Sequence, residues 1–294
     1  MKSLEQVEPR TDVLKLSGDG ANIYIISQPG SYYLTTNVLG SGPSQNGILI
    51  ATNHVTLDLN GFSVLATAPN FAVGISIAGS CTNIVVRHGM VSGWEAGDIV
   101  SASASSQNVI FERLNLHTDT GGGIVLRGTG AVRDCNVGRT GGGVNGISCF
   151  NRAVISNCTV HDSGSAGIYV VTNCVVSGCY IENSVNSGIQ ADVHGGCEIT
   201  GNTCVGNNRI LNGGQGGIAL WSGTNRVDGN RVIASGLAGI QVPFSSSSNN
   251  VIIRNVVSGN GTNNYVTPGN QIVGPIITTI GTITNLSPWA NFSF

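Results

Sequence analysis

Gly followed by Ile returns along this chain at steps too regular for an ordinary globular domain. It stands in "NGILI", "VGISI", "GGIVL", "NGISC", "AGIYV", "SGIQA", "GGIAL" and "AGIQV", with "GDIVS" as a variant. The first motif residues are Gly47, Gly74, Asp98, Gly123, Gly146, Gly167, Gly188, Gly217 and Gly239, so eight steps cover 192 residues and average 24. Helical repeats take roughly 33 to 47 residues, whereas about 24 suffice for a coil of three short strands and three turns. Each strand then lies on its counterpart one coil away at about 4.8 Å.

The composition agrees: 43 Gly and only 10% charged residues suit strands and turns rather than helices. The spacing predicts an all-β chain, a single-stranded right-handed parallel β-helix of about nine coils. We read 1–294 as one domain, with 1–45 an N-terminal cap and first irregular coil, 46–260 regular coils and 261–294 a C-terminal cap or tail. Two-residue alternation turns Ile48, Ile75, Ile99, Ile124, Ile147, Ile168, Ile189, Ile218 and Ile240 inward as one spine of the core. A second inward column falls at the bend between strands two and three, where Cys135, Cys158 and Cys179 give way to Asn202, Asn230 and Asn255. Stacked amides can hydrogen-bond along such a ladder, so polar side chains can lie inside. Cys149, Cys174, Cys197 and Cys204 also point inward, making seven of the eight cysteines small core residues. No cysteine or histidine spacing suits structural zinc.

Charged side chains are scarce, so their columns matter. Asp58, Arg87, Glu112 and Arg133 fall on the outer face of strand two in successive coils, an ion-pair ladder of structural character. On the outer face of strand three, His117, Gly138, His161 and Glu182 share one column, with Asp119, Arg139, Asp162 and Tyr180 beside it. Histidine or tyrosine there can exchange a proton near neutral pH, and Arg139 can neutralise a substrate carboxylate. That set describes a β-eliminating lyase in which His161 or Tyr180 removes the proton and the other donates to the leaving oxygen. Asp162 and Glu182, one coil apart, equally suit the acid and the nucleophile or base of a glycosidase. An ordinary solvated polar face accounts for the same residues without catalysis. The longer repeats add "ATAPNF" and "NNRILNGGQG" after strand three, loops able to wall a groove. Tyr169, Phe150 and Trp221 point outward from strand one and can stack on sugar rings.

The coils, the Cys-to-Asn ladder and "VTLDLNGFSV" resemble the pectate-lyase-like superfamily of right-handed β-helix proteins over roughly residues 22–260. "QPGSYYLTTNV", "LDLNGF" and the ending "PWANFSF" resemble an exported bacterial subgroup. The resemblance implies carbohydrate chemistry: polysaccharide lyases, glycoside hydrolases, uronan epimerases and phage tailspikes share the fold. The chain lacks the "DPH", "NTD", "GDD" and "RIK" signatures of those enzymes, so no catalytic residue carries over.

We therefore expect a polysaccharide partner, acted on by a lyase, by a hydrolase or by a noncatalytic binding module. Secretion or cell-surface display is expected, with a leader preceding Met1, because residues 1–20 lack one. No apolar run reaches the length of a membrane span. Only two lysines occur, Lys2 and Lys15, and the net charge is -2, which argues against a nucleic-acid partner. No cofactor is expected, although Asp119, Asp162 and Glu182 are the carboxylates that calcium would use. The β-prone tail "IVGPIITTIGTITN" either caps the helix or joins a second copy in a homo-oligomer.

Overall fold

The protein is described here by a computed structural model covering residues 10–117, 121–282 and 287–294. The chain falls into two compact units, Met1–Gly141 and Gly142–Phe294. Each is a right-handed parallel β-helix, and the strand pairings among the described residues are parallel, one coil on the next. Among the described residues no helix is long and apolar enough to cross a membrane.

Strand one, which carries the Gly-Ile motif, occurs eleven times among the described residues rather than nine. The additional strands are Asn22–Ile26 and Asn263–Val266, at the two ends. They were invisible to the motif because Tyr24 and Tyr265 stand where the repeat has Ile, in register with Ile48 and Ile240. An aromatic ring fills the same inward column at the ends, where no further coil crowds it. The segments expected as caps thus each begin or end with a coil. Arg10–Asp12 pairs with Gly30–Tyr33 ahead of the first coil, and Asn291–Ser293 closes strand three of the last.

In the first unit the isoleucine spine is in register from Ile48 to Ile75 and Ile99, all fully buried. The charged column on strand two forms as two pairs, Arg87 on Asp58 at 3.1 Å and Arg133 on Glu112 at 2.6 Å. Asp98, the residue that replaces glycine in the motif, is fully buried, and no side chain among the described residues bonds its carboxylate.

In the second unit all three corners of the coil use one device. A residue with positive φ turns the chain, and the next residue points inward and stacks on its counterpart. At the corner between strands two and three the turning residues are Asn157, Gly178, Gly201, Gly229 and Arg254. The inward ones are Cys158, Cys179, Asn202, Asn230 and Asn255, and the column continues to Asn291. Asn230 shows why asparagine works there. Its Oδ1 accepts from the Asn202 backbone N–H at 2.9 Å, while its Nδ2 donates to the Ile199 carbonyl at 2.8 Å and to Asn255 Oδ1 at 3.0 Å. One buried amide thereby satisfies backbone groups that no strand can reach. Between strands one and two the ladder runs Ala153, Cys174, Cys197, Asn225, Asn250, with Gln271 accepting from Asn250 N–H at 3.1 Å. Between strands three and one it runs Ser163, Ser184, Asn207, Ser235, Asn260. All eight cysteines are buried, including Cys81, which the alternation left outside the core.

Candidate functional site

The residues singled out on strand three divide between the units. In the first, His117 ends the strand Gln107–His117, in register with Gly138, and Arg139 follows with φ 54°. Ser92 Oγ donates to the His117 carbonyl. Asp119, the remaining carboxylate of the expected cluster, lies outside the described residues.

In the second unit His161 is in register with Glu182, and Thr159 with Tyr180. Two polar pairs result. His161 Nδ1 lies 3.1 Å from Asp162 Oδ2, and Tyr180 Oη donates to Glu182 Oε2 at 2.9 Å. The Glu182 carboxylate raises the Tyr180 pKa above its ordinary value, so this phenol keeps its proton at neutral pH and suits an acid rather than a base. Arg231 stands two coils on in the Tyr180 column, through Thr203, and its positive charge acts on Tyr180 in the opposite sense. Its guanidinium is the cation of this unit's own strand-three face, and sequence reading passed over it in favour of Arg139.

Asp162 also has a structural reason to be where it is. With φ 52° it fills the turning place at the corner between strands three and one, as Asn183, Gly206 and Ala234 do in later coils. Left-handed backbone favours Gly, Asn and Asp, so turn chemistry alone selects an aspartate there. Arg139 holds positive φ as well. Among the described residues no group of three or more His, Cys, Asp or Glu is placed to hold a metal.

The aromatic residues belong to a different sheet. Strand one of the second unit runs through Ile147–Asn151, Ile168–Thr172, Ile189–Gly195, Gly216–Leu220 and Ala238–Gln241, and its outer face carries Ser148, Tyr169, Gln190, Ala219 and Gln241 in one register column. The structure therefore does not bring Phe150, Tyr169 and Trp221 together with His161 and Tyr180. Instead it gathers them into a face of their own. The Phe150 and Tyr169 rings lie 5.8 Å apart, tilted by 56°. Tyr169 Oη donates to Asp192 Oδ2 at 2.8 Å, and burial together with that carboxylate raises its pKa well above the ordinary value.

Asp192 reaches Tyr169 because the strand breaks register after Ala191, pushing Asp192, Val193 and His194 out before Gly195 resumes the pairing. A bulge of this kind re-aims a side chain at the edge of a face. Farther along, Trp221 and Phe244 meet edge to face at 5.4 Å. The long insertion after strand three folds beneath them, with Trp221 Nε1 donating to the Gly214 carbonyl at 3.0 Å and Asn208 Nδ2 holding the Asn212 and Gln215 carbonyls. That loop thus borders the strand-one face. Asp192 and Phe244 were not legible as partners of Tyr169 and Trp221, because bulge and loop lengths set their places.

Known proteins share this architecture. The A-module of the mannuronan C-5 epimerase AlgE4 from Azotobacter vinelandii superposes with TM-score 0.56 at 14% identity, over 90% of this chain and 87% of its own. A C387A mutant of DFA-IIIase from Arthrobacter chlorophenolicus A6, in complex with DFA-III, gives 0.53 at 11% identity, over 97% and 84%. Pectate lyase Pel9A gives 0.51 at 14% identity, over 83% and 70%. At such identities the likeness is one of fold. No curated protein matches the chain in sequence. The model of the right handed beta helix region matches residues 24–204 and 145–281, and the chain belongs to that right-handed β-helix family.

Proposed function

We propose that this is a carbohydrate-active β-helix protein that seats a polysaccharide chain along the outer face of strand one in the second unit. The observation that carries this reading is a pair of aromatic clusters, Phe150 with Tyr169 on the strands of this sheet and Trp221 with Phe244 just beyond strand ends, together with a bulge that adds the Asp192 carboxylate. Rings held tilted or edge to face offer apolar surface to sugar rings, and a fixed carboxylate and phenol offer hydrogen bonds to hydroxyls. Structural relatives named as an epimerase of mannuronan, a pectate lyase and a DFA-IIIase favour a glycan over other ligands. Export to the cell surface or medium belongs to the same reading, since that is where a polysaccharide chain is met.

Turnover is supported by a separate observation, the His161–Asp162 and Tyr180–Glu182 pairs one coil apart on strand three. In a β-elimination His161, oriented by Asp162, removes the proton beside a uronate carboxylate and Tyr180 protonates the leaving oxygen. Arg231 in this unit supplies the positive charge. In a hydrolysis Asp162 and Glu182 act instead.

The test is a panel of acidic and neutral polysaccharides, scored for binding, for unsaturated uronate absorbance and for reducing ends. Binding that falls at least tenfold in Trp221→Ala and Tyr169→Ala supports the strand-one face; unchanged binding in both removes it. Uronate absorbance lost in His161→Ala marks a lyase, and reducing ends alone move the chemistry to Asp162 and Glu182. Binding without turnover leaves a noncatalytic module.

A further inference from the structure

The cysteines of the second unit are not equivalent. Cys149 meets Val170 in register, and Cys204 lies between Ile181 and Val232, so neither has a sulfur beside it on the neighbouring coil within its column. Cys174 and Cys197 occupy the inward place at the corner between strands one and two on successive coils. Their register is fixed on both sides, by Asn173 N–H donating to the Gly195 carbonyl at 3.0 Å and Glu198 N–H donating to the Cys174 carbonyl at 2.8 Å. Parallel neighbours in register have Cα atoms about 4.8 Å apart, inside the roughly 4.4 to 6.8 Å that a disulfide spans. Ala153 precedes the pair in this ladder and Asn225 follows it, its Oδ1 held by Cys197 N–H at 2.9 Å. Neither neighbour of the pair in this ladder is a thiol.

A second stacked pair, Cys158 and Cys179, behaves differently. Each of those thiols has a backbone carbonyl within its own corner, at 3.3 Å from Cys158 and 3.4 Å from Cys179. Cys174 has such a contact too, with the Thr172 carbonyl at 3.4 Å, but the carbonyls nearest the Cys197 sulfur are at 3.8 and 3.9 Å, so within this pair Cys197 is the thiol less committed to the backbone. The cause is the bulge at Asp192, after which Gly195 and Gly196 both take positive φ and bring the chain into Cys197 by a different path.

We propose that Cys174 and Cys197 are a redox pair that closes into a disulfide stapling two successive coils, with hydrogen peroxide as the oxidant. The hydrogen bond from Cys197 lowers the Cys174 pKa against the opposing effect of burial, which makes Cys174 the nucleophile of the pair. Its thiolate attacks one peroxide oxygen, the O–O bond breaks, and Cys174 becomes a sulfenic acid while hydroxide leaves. The Cys197 sulfur then attacks the Cys174 sulfur and the S–O bond breaks. The sulfenic oxygen departs as water with the proton of the Cys197 thiol, and the hydroxide takes up the proton that Cys174 released in forming its thiolate, giving a second water. Two thiols lose two electrons, and peroxide gains them.

The experiment starts from the fully reduced protein, treated with hydrogen peroxide, denatured in N-ethylmaleimide and mapped by mass spectrometry without reductant. The expected result is a peptide pair joined through Cys174 and Cys197, with the other six of the eight cysteines alkylated. A Cys158–Cys179 bridge in its place overturns the assignment. Refolding the same chain from denaturant in a glutathione redox buffer removes any barrier to access. A bridge found only there overturns peroxide as the oxidant, and eight alkylated thiols under both treatments overturn the pair altogether. The order of events has its own readout, because dimedone should trap a sulfenic acid on Cys174 in the Cys197→Ser variant. Equal trapping on Cys197 in Cys174→Ser overturns Cys174 as the nucleophile.

Discussion

Asp98 in the first unit and Asp228 in the second are both buried, yet their surroundings shift them in opposite directions. Asp98 is fully enclosed where the repeat has glycine, and burial without a partner among the described side chains pushes its carboxyl well above the usual range. Asp228 is gripped by two guanidiniums. Arg254 Nε lies 2.6 Å from its Oδ1, Arg226 Nη2 lies 2.6 Å from its Oδ2, and Arg254 foremost holds its pKa below the usual value. Enclosure alone therefore does not decide what a buried polar group does to this solenoid. The partners it meets, on its own strand and on the next coil, do.

Asn230 marks the fully partnered extreme. Replacing it in Asn230→Ala orphans the Asn202 N–H and the Ile199 carbonyl at once, and should cost about 3 kcal/mol in a denaturant titration. A loss below about 1 kcal/mol would show that water enters the corner and that partners matter less than proposed.

Asp98→Ala should act in the other direction, by about 2 kcal/mol at neutral pH. The folded pKa of Asp98 lies above the unfolded 3.8, so the wild type is best off below pH 3.8 and loses stability as pH rises from there. The advantage of the alanine variant should accordingly grow as pH rises above 3.8. A difference that does not change with pH would mean that Asp98 finds a partner.

Asp228→Asn should lower stability by on the order of 1 kcal/mol at pH 7. Here the folded pKa lies below 3.8, so the contribution is complete above pH 3.8 and disappears as pH falls through the folded value. Variant and wild type should converge in acid. The smallest effect is expected from Arg226→Ala, about 0.5 kcal/mol, because Arg254 remains on the carboxylate and also stacks on Trp289 at 5.6 Å. An Arg226→Ala loss larger than that of Arg254→Ala would reverse the order of the two grips.

The contrast also explains what could be read in advance. The inward isoleucines and the Cys-to-Asn ladder were legible because a repeat displays each core column many times, so chance is averaged out. The corners between strands one and two, and between strands three and one, carry ladders of the same kind that went unread. There Ser, Asn, Cys and Ala alternate, and no single residue type repeats long enough to mark a column. Asp162 and Arg139 drew attention as charges in a chain poor in them, whereas both also stand at turning positions of positive φ.

Sequence by itself determined the period, the strand spine, the parallel stacking and the membership of cysteine and asparagine in the interior, since each follows from local alternation repeated every coil. Tertiary structure alone decided which outward residues share a face. Strands one and three turn their outer sides in different directions, so Tyr169 and Trp221 form one surface and His161 and Tyr180 another. The bulge at Asp192 and the fold of the loop at Gly214 completed the first of these. Such placements depend on where extra residues leave the coil, and a repeat pattern records only those that stay within it.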